Sequence, residues 1–238
     1  MQRYFAALDS NKNIVISSDD IFHITKVMRM SVGDQFEINA DGELKIAKLS
    51  STNPFKFEVI KEINENHELN GYVRLLYCLP KGEKTDLVIQ KAVELGCNEI
   101  VLINSERSIA KITEDKKAKK LIRFNKIIKE ASEQSKRSKL CKLTDVISFN
   151  EIGNYPADFS LIAYENTQFT SNDLISLLPS LKGKTINVII GAEGGISKKE
   201  IEIATKAGYK EISLGKRILR SETACIFVLS ILSLYLDE

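Results

Sequence analysis

From Tyr72 onward, short apolar runs alternate with amphipathic stretches, and few folds accept that rhythm. VRLLYCL precedes KTDLVIQKAVELG, and EIVLINS precedes the long basic KAKKLIRFNKIIKEASEQSKR. FSLIAYE, SNDLISLLPSL, TINVIIG, SKKEIEIATKAG and YKEISLG follow before a last apolar helix. Runs this apolar belong to strands buried on both faces, and the helices between them supply the cover. The pattern predicts an α/β domain over residues 72–238 with a mostly parallel sheet.

Residues 1–68 obey a different period. QFEINADGELKIAKL alternates apolar and polar residues on both sides of Asp41-Gly42, a dipeptide suited to a tight hairpin turn, and FKFEVIKEI repeats the alternation after Pro54. A small β-barrel or sheet is expected there. The polar NENHELNG, residues 64–71, marks the boundary between the two domains.

The 238 residues, 43% hydrophobic and 28% charged, suffice for one large core or two modest ones. The apolar stretch Ala224 to Leu236 is too short to cross a membrane, and the N-terminus carries no signal-peptide pattern, so a soluble cytoplasmic protein is expected. Four cysteines without a CxxC pair and two histidines supply neither a disulfide frame nor a metal site. The expectation is buried, reduced thiols and no metal.

Charge is unevenly distributed. Lys111 to Lys142 holds 12 Lys/Arg against 4 Asp/Glu, a net of +8, while the whole chain carries only +2. The segment is either a solvated helix face or a surface that follows phosphates, since clustered cations gain affinity for a polyanion by releasing its counterions.

Two glycine-bearing loops stand out near the C-terminus. INVII runs into GAEGGIS and then a helix, so Gly191, Gly194 and Gly195 occupy a strand-to-helix turn. Such turns bring backbone close to ligands and place it before the unpaired N–H groups of a helix start, although glycines also serve a tight connection alone. No Gly-Lys-Ser/Thr follows, Glu193 would repel phosphates, and GAEGG is not G-x-G-x-x-G, so a nucleotide held by its phosphates does not fit. In the second loop, LGKRILRSETA, Ser221 or Thr223 can cap the last helix and Glu222 suits its positive end. Arg220, between apolar Leu219 and that helix, calls for a carboxylate, a carbonyl or a bound anion.

VIIGAEGGIS followed by ISLGKRILRSETA resembles the paired C-terminal motifs of the SPOUT methyltransferases, and most closely the ribosomal RNA small-subunit methyltransferase E family. HITKVMRMSVGD (23–34), KGEKTDLVIQKAVELG (81–96), SERS (105–108) and EASEQSKR (130–137) resemble further motifs of that family, in the same order. One departure is Ala192, where the family usually has Pro; it removes a fixed φ but no side-chain chemistry.

The resemblance implies a PUA-like β-barrel RNA-binding domain over residues 1–68 and a SPOUT α/β domain over 72–238 whose C-terminal segment forms a trefoil knot. It implies a homodimer, packed partly through the last helix, and methylation of N3 of a uridine in 16S rRNA with S-adenosylmethionine as donor. The donor would lie against Gly191, Ala192, Glu193, Gly194 and Gly195, against Leu214, Gly215, Ile218 and Leu219, and beside Leu161, Tyr164 and Glu165, with Ser221 and Thr223 near it. Arg220 is the candidate cation beside the uridine anion. Glu222 is a candidate proton acceptor or, equally, a helix cap. RNA contacts fall to Arg3, His23, Lys26 and Arg29 in the first domain, to Lys81, Lys84 and Arg107 after strands of the second, and to Gln134, Lys136 and Arg137 at the end of the basic helix. His23 alone would otherwise be a surface or turn residue, and Gln134 a helix-surface amide. A non-catalytic RNA-binding or ribosome-assembly module is the alternative, and the pair of ligand loops argues against it.

Overall fold

A computed structural model describes residues 1–82, 84–108, 111–165 and 171–237, with side chains of 171–173 excepted. It divides into two compact units: Met1–Glu68 with Ser132–Lys139, and Leu69–Ala131 with Leu140–Glu238.

The first unit is a five-stranded sheet. Strands β1 (Arg3–Leu8), β2 (Ile14–Val15), β3 (Gln35–Ala40), β4 (Glu43–Thr52) and β5 (Phe55–Ile63) lie in the order β2-β1-β3-β4-β5. Only β1 and β3 run parallel. No ladder joins β2 to β5 among the described residues, so the pairing itself is that of a sheet. Asp41 (φ 53) and Gly42 (φ 84) both take the left-handed backbone that a two-residue hairpin between β3 and β4 requires. Tyr4, Ile24, Phe36, Ile38, Ala47 and Leu49 form the core under this sheet. Helix α1 (Ser18–Phe22) starts on Ser17, whose hydroxyl accepts the Asp20 N–H, and runs on into a wider π-type turn over His23–Val27.

The second unit is a six-stranded, wholly parallel sheet. Its strands are β6 (Tyr72–Cys78), β7 (Glu99–Asn104), β8 (Lys142–Ser148), β9 (Phe159–Ala163), β10 (Thr185–Ile190) and β11 (Lys210–Ile212), in the order β11-β9-β10-β6-β7-β8. Helices α2 (Lys84–Glu94), α3 (Glu114–Gln134), α4 (Ser171–Leu177), α5 (Lys198–Lys206) and α6 (Ser221–Leu236) follow in chain order, α3 ending within the residues of the first unit.

The two-residue period of a strand divides the apolar residues between two faces. Leu75, Tyr77, Ile100, Leu102, Leu161, Ile186 and Val188 face one layer with α2 and α6. Leu76, Cys78, Val101, Ile103, Ile162 and Ile189 face the other with α5. Both layers are filled, which is why these strands read as continuous apolar runs. Helix α6 is anchored by Val228, Leu229, Leu232 and Leu236, each at most 2% exposed and each contributing roughly 1.5–3 kcal/mol by burial. Its last turn is tied back to the start of the unit, where Asn70 N–H donates to Leu236 O at 2.8 Å.

All four cysteines are buried and none is in a disulfide among the described residues. Among the described residues, no helix is long and apolar enough to cross a membrane.

Candidate active site

Every loop in question leaves the carboxyl end of a parallel strand, the edge at which such sheets hold ligands. Strand β10 is late in sequence yet lies between β9 and β6, so the turn that follows it sits near the middle of that edge.

The turn closes through Gly195 N–H donating to Ala192 O at 2.9 Å. Gly195 has φ +68, and a Cβ there would stand 2.8 Å from Glu165 Oε1, so both backbone and neighbour require glycine. Arg107 braces the turn from the loop after β7, its Nη1 donating to Gly194 O at 3.0 Å and to Ile196 O at 3.5 Å. The helix that follows is already capped. Ser197 accepts the Glu200 N–H while Glu200 accepts the Ser197 N–H, so the start of α5 offers less to a ligand than the sequence suggested.

The second loop reaches the first through Ser221. Its hydroxyl donates to Gly191 O at 2.5 Å and lies 3.2 Å from the Tyr77 hydroxyl. One hydroxyl has one proton, so with that proton on the carbonyl, Tyr77 is the donor of the second bond. Burial pushes the Tyr77 phenol well above its ordinary range, which keeps that proton in place. This corrects the capping expectation: Arg220 occupies the N-cap position without a side-chain cap, and Ser221 joins the two loops.

A cleft of ≈ 530 Å³ lies between the loops, lined by Gly191–Ile196, Ile218–Ser221, Ala163, Glu165, Ala224 and Lys84. An adjoining recess adds Tyr164 and Ser213–Arg217. The expected donor contacts Tyr164, Glu165, Gly191, Ala192, Glu193, Gly194, Gly195, Leu214, Gly215, Ile218, Leu219 and Ser221 therefore meet around one opening. Two do not. Leu161 is fully buried in β9, paired with Val188 and Lys210, and serves the core. Thr223 is exposed on α6 and lines neither space.

Arg220 lines the cleft but is exposed, and its guanidinium makes no hydrogen bond or ion pair among the described residues. Of the three partners expected for it, a bound anion is the one the open cleft leaves room for. Glu222 does not line the cleft; its Oε2 stands 3.3 Å from Lys84 Nζ. The same ammonium lies 3.1 Å from Glu193 Oε1, and the Glu193 carboxylate also accepts the Lys81 N–H at 3.2 Å. Burial would raise the Glu193 pKa, but its own N–H, Lys84 and Lys81 outweigh it and hold the carboxyl below the ordinary range. Lys84 is raised in turn, by Glu193 first and Glu222 after it.

The expected RNA contacts divide by what each charge already touches. Arg3, 1% exposed, donates to Glu37 Oε2 at 2.8 Å and to the carbonyls of Lys136 and Arg137, and Arg137, 2% exposed, is held by Glu68. Lys136 Nζ meets Glu37 at 2.9 Å and the Met1 carbonyl. Arg3 and Arg137 are thus buried against partners within the first unit, while Lys136 keeps part of its side chain exposed. His23 is half-buried with Nδ1 2.9 Å from the Tyr4 hydroxyl. Lys26, Arg29 and Gln134 are exposed in that unit, and the side chain of Lys81 is exposed in the other. Lys84 and Arg107 belong to the cleft and its turn.

Missed from sequence was Tyr77, which lies in the apolar run of β6 and carries no local signal of a role at the site. Lys84 was expected at RNA and stands at the cleft.

A family model described as an RNA methyltransferase domain matches residues 67–233, and one described as an RNA methyltransferase PUA domain matches residues 16–62. The chain is 36% identical to the Ribosomal RNA small subunit methyltransferase E of Bacillus subtilis, over 98% of this chain and 96% of that protein. A Legionella pneumophila methyltransferase solved with bound S-adenosylmethionine superposes with a TM-score of 0.86 at 26% identity, covering 98% of both chains. A Neisseria gonorrhoeae Ribosomal RNA small subunit methyltransferase E bound to S-adenosylmethionine superposes with a TM-score of 0.84 at 26% identity, covering 98% of this chain and 97% of that one.

Proposed function

Because the chain belongs to the ribosomal RNA small subunit methyltransferase E family, we propose that it uses S-adenosylmethionine to methylate N3 of a uridine in 16S rRNA. The observation that carries this reading is the Ser221–Gly191 hydrogen bond, which draws two backbone-rich loops around one cleft.

The residues present suit the donor. A cleft of ≈ 530 Å³ lies within the range of small-molecule sites, and it pairs apolar Ala163, Ile218 and Leu219 with the carboxylate of Glu165 and the exposed backbone of the glycine turn. When bound, the donor supplies a methyl group on a cationic sulfur, and transfer leaves the bonding electron pair on that sulfur as a neutral thioether. The apolar side chains cover an adenine face and keep water from it. The glycine turn brings backbone dipoles to the donor without a side chain intervening.

Uridine N3 bears a proton that must leave, here to water at the open mouth of the cleft, and the remaining charge spreads over the flanking carbonyl oxygens. Arg220 stands at that mouth as a permanent, uncompensated cation and lowers the energy of the anion. Removing one such donor in other enzymes costs roughly 10²–10³ in rate. Arg220→Ala should lose at least ~10²-fold in methyl transfer with a melting temperature close to wild type, because the exposed guanidinium makes no hydrogen bond or ion pair among the described residues. Methyl transfer within tenfold of wild type refutes the role.

The first unit is proposed to be the PUA-like RNA-binding domain, with Lys26 and Arg29 as phosphate contacts, and in the second unit Lys81 and the exposed face of α3 are proposed to contact phosphates as well. The C-terminal segment is proposed to be threaded as a SPOUT trefoil knot. The insertion of β10 between β9 and β6, and the return of α6 to Asn70, support this reading. Exposed Phe227 and Leu234, one heptad apart on α6, support a homodimer packed through that helix.

Calorimetric titration with S-adenosylmethionine, followed by mass mapping of methylated nucleotides in small-subunit rRNA with and without the protein, tests the whole reading. Donor binding and one uridine methyl group lost in the protein's absence are expected. No heat at millimolar donor favours a non-catalytic RNA-binding module instead.

A further inference from the structure

Lys84, first residue of α2, lines the cleft, whereas Glu222 does not. Its ammonium stands 3.1 Å from Glu193, on the turn after β10, and 3.3 Å from Glu222, in the first turn of α6. An ammonium has three N–H bonds, so even with each neighbouring carboxylate drawing one of them a third is left for a ligand. We propose that the third donates to a carbonyl oxygen of the bound uracil, making Lys84 a catalytic residue and Glu222 and Glu193 the positioning residues that aim it. This rests on the uridine reading above.

Three observations favour that assignment over the obvious ones. Glu222 is a poor proton acceptor here, because its Oε2 is buried 3.3 Å from Lys84 Nζ and the residue does not line the cleft. Lys84 is a poor contact for an RNA phosphate, because two carboxylates already screen it while its side chain is only 32% exposed. Glu193 in turn is anchored by the Lys81 N–H ahead of α2, so the ammonium has a fixed partner on the cleft wall before a ligand enters.

The carbonyls beside N3 are where charge accumulates as the proton departs. In the reaction, uracil N3 gives its proton to water and forms the bond to the methyl carbon while the carbon–sulfur pair stays with sulfur. Lys84 retains its own protons throughout, and it stabilises charge rather than moving it. Among the described residues, Glu165, Glu193, Lys84 and Arg220 are the ionisable side chains that line this cleft, with Glu222 beside Lys84.

The test compares Lys84→Met, Lys84→Arg, Glu222→Gln and the Lys84→Met/Glu222→Gln double variant. Three quantities are read: the dissociation constant for S-adenosylmethionine by calorimetry, that for small-subunit rRNA, and the single-turnover methylation rate at saturation. Lys84→Met is expected to slow turnover about 100-fold with both dissociation constants within roughly threefold of wild type. Lys84→Arg should recover part of the rate, and Glu222→Gln should slow the wild type yet add nothing in the Lys84→Met background.

A loss of donor affinity at unchanged rate would place the ammonium on the donor's carboxylate, and a loss of RNA affinity at unchanged rate would place it on a phosphate; either overturns the proposal. So does an equal effect of Glu222→Gln in both backgrounds. A wild-type protein that binds no donor or transfers no methyl group refutes the methyltransferase reading itself, an outcome distinct from an active wild type insensitive to Lys84→Met.

Discussion

Ser221→Ala removes the one hydroxyl that ties the two loops together, and its cost follows from the three atoms involved. The bond to Gly191 O, at 2.5 Å, is worth ~0.5–1.5 kcal/mol net of water. The Tyr77 hydroxyl, on a side chain with no exposure, would lose the partner it has here, which costs ~1–3 kcal/mol. Gly191 is only half-buried, so water can recover its carbonyl and the total settles near ~2 kcal/mol. In a unit of this size, that lowers the melting temperature by roughly 4–8 °C. If all of it is spent in opening the cleft, affinity for S-adenosylmethionine falls by at most roughly 30-fold. Differential scanning calorimetry and donor titration check both numbers. Tyr77→Phe provides the control: Ser221→Ala should cost less in that background, because no hydroxyl is orphaned. A melting temperature and donor affinity both unchanged in Ser221→Ala would refute the idea that this bond holds the cleft together.

Gly195→Ala forces a side chain into left-handed backbone and against Glu165, at a cost of ~1–2 kcal/mol before the contact is counted, and donor titration should register weaker binding. Glu99 joins Tyr72, Arg74 and Thr144 at the other end of the sheet. Its burial alone would raise its pKa, but Thr144, Arg74 and Tyr72 together hold it down at about 2 against an ordinary 4.5. A depressed carboxylate stabilises the fold fully above its unfolded value and loses that contribution as pH falls from 4.5 through 2. Acid titration of Glu99→Gln should therefore converge on wild type below pH 2, and a constant difference down to that pH contradicts the network. Lys116, Lys119 and Lys120 are exposed on α3, and reversing all three should flatten the salt dependence of RNA binding by about one unit per contact removed. An unchanged slope returns that face to solvent.

The parallel sheet was legible because burial on two faces leaves a mark in every strand: Leu75 and Leu76, or Ile100 and Val101, are adjacent residues that serve opposite layers. The hairpin at Asp41-Gly42 was legible because only a few residues accept left-handed backbone at both positions. Ser132–Lys139 was opaque. It continues a basic helix in sequence, yet it belongs to the first unit, where Glu68 receives Arg137 and Asn39 donates to Ser138 O at 2.6 Å. Those bonds join residues 69 and 99 positions apart, and no local period records them.

The site shows the same limit in electrostatic form. A sequence counts cations, but what a cation can do depends on whether its charge is already answered. Arg3 and Arg137 were counted with Lys26 and Arg29 as groups for RNA, and burial against carboxylates takes the first two out of that set while leaving the others in water. Arg220 and Lys84 face one cleft under opposite conditions. Arg220 makes no ion pair among the described residues, so its field reaches whatever anion arrives. Lys84 is half-neutralised and held in place, so it contributes direction more than long-range attraction. A site that must stabilise charge only as it develops has use for both, since a lone unscreened cation attracts phosphates as readily as a uracil anion, while an aimed N–H distinguishes one oxygen from its surroundings.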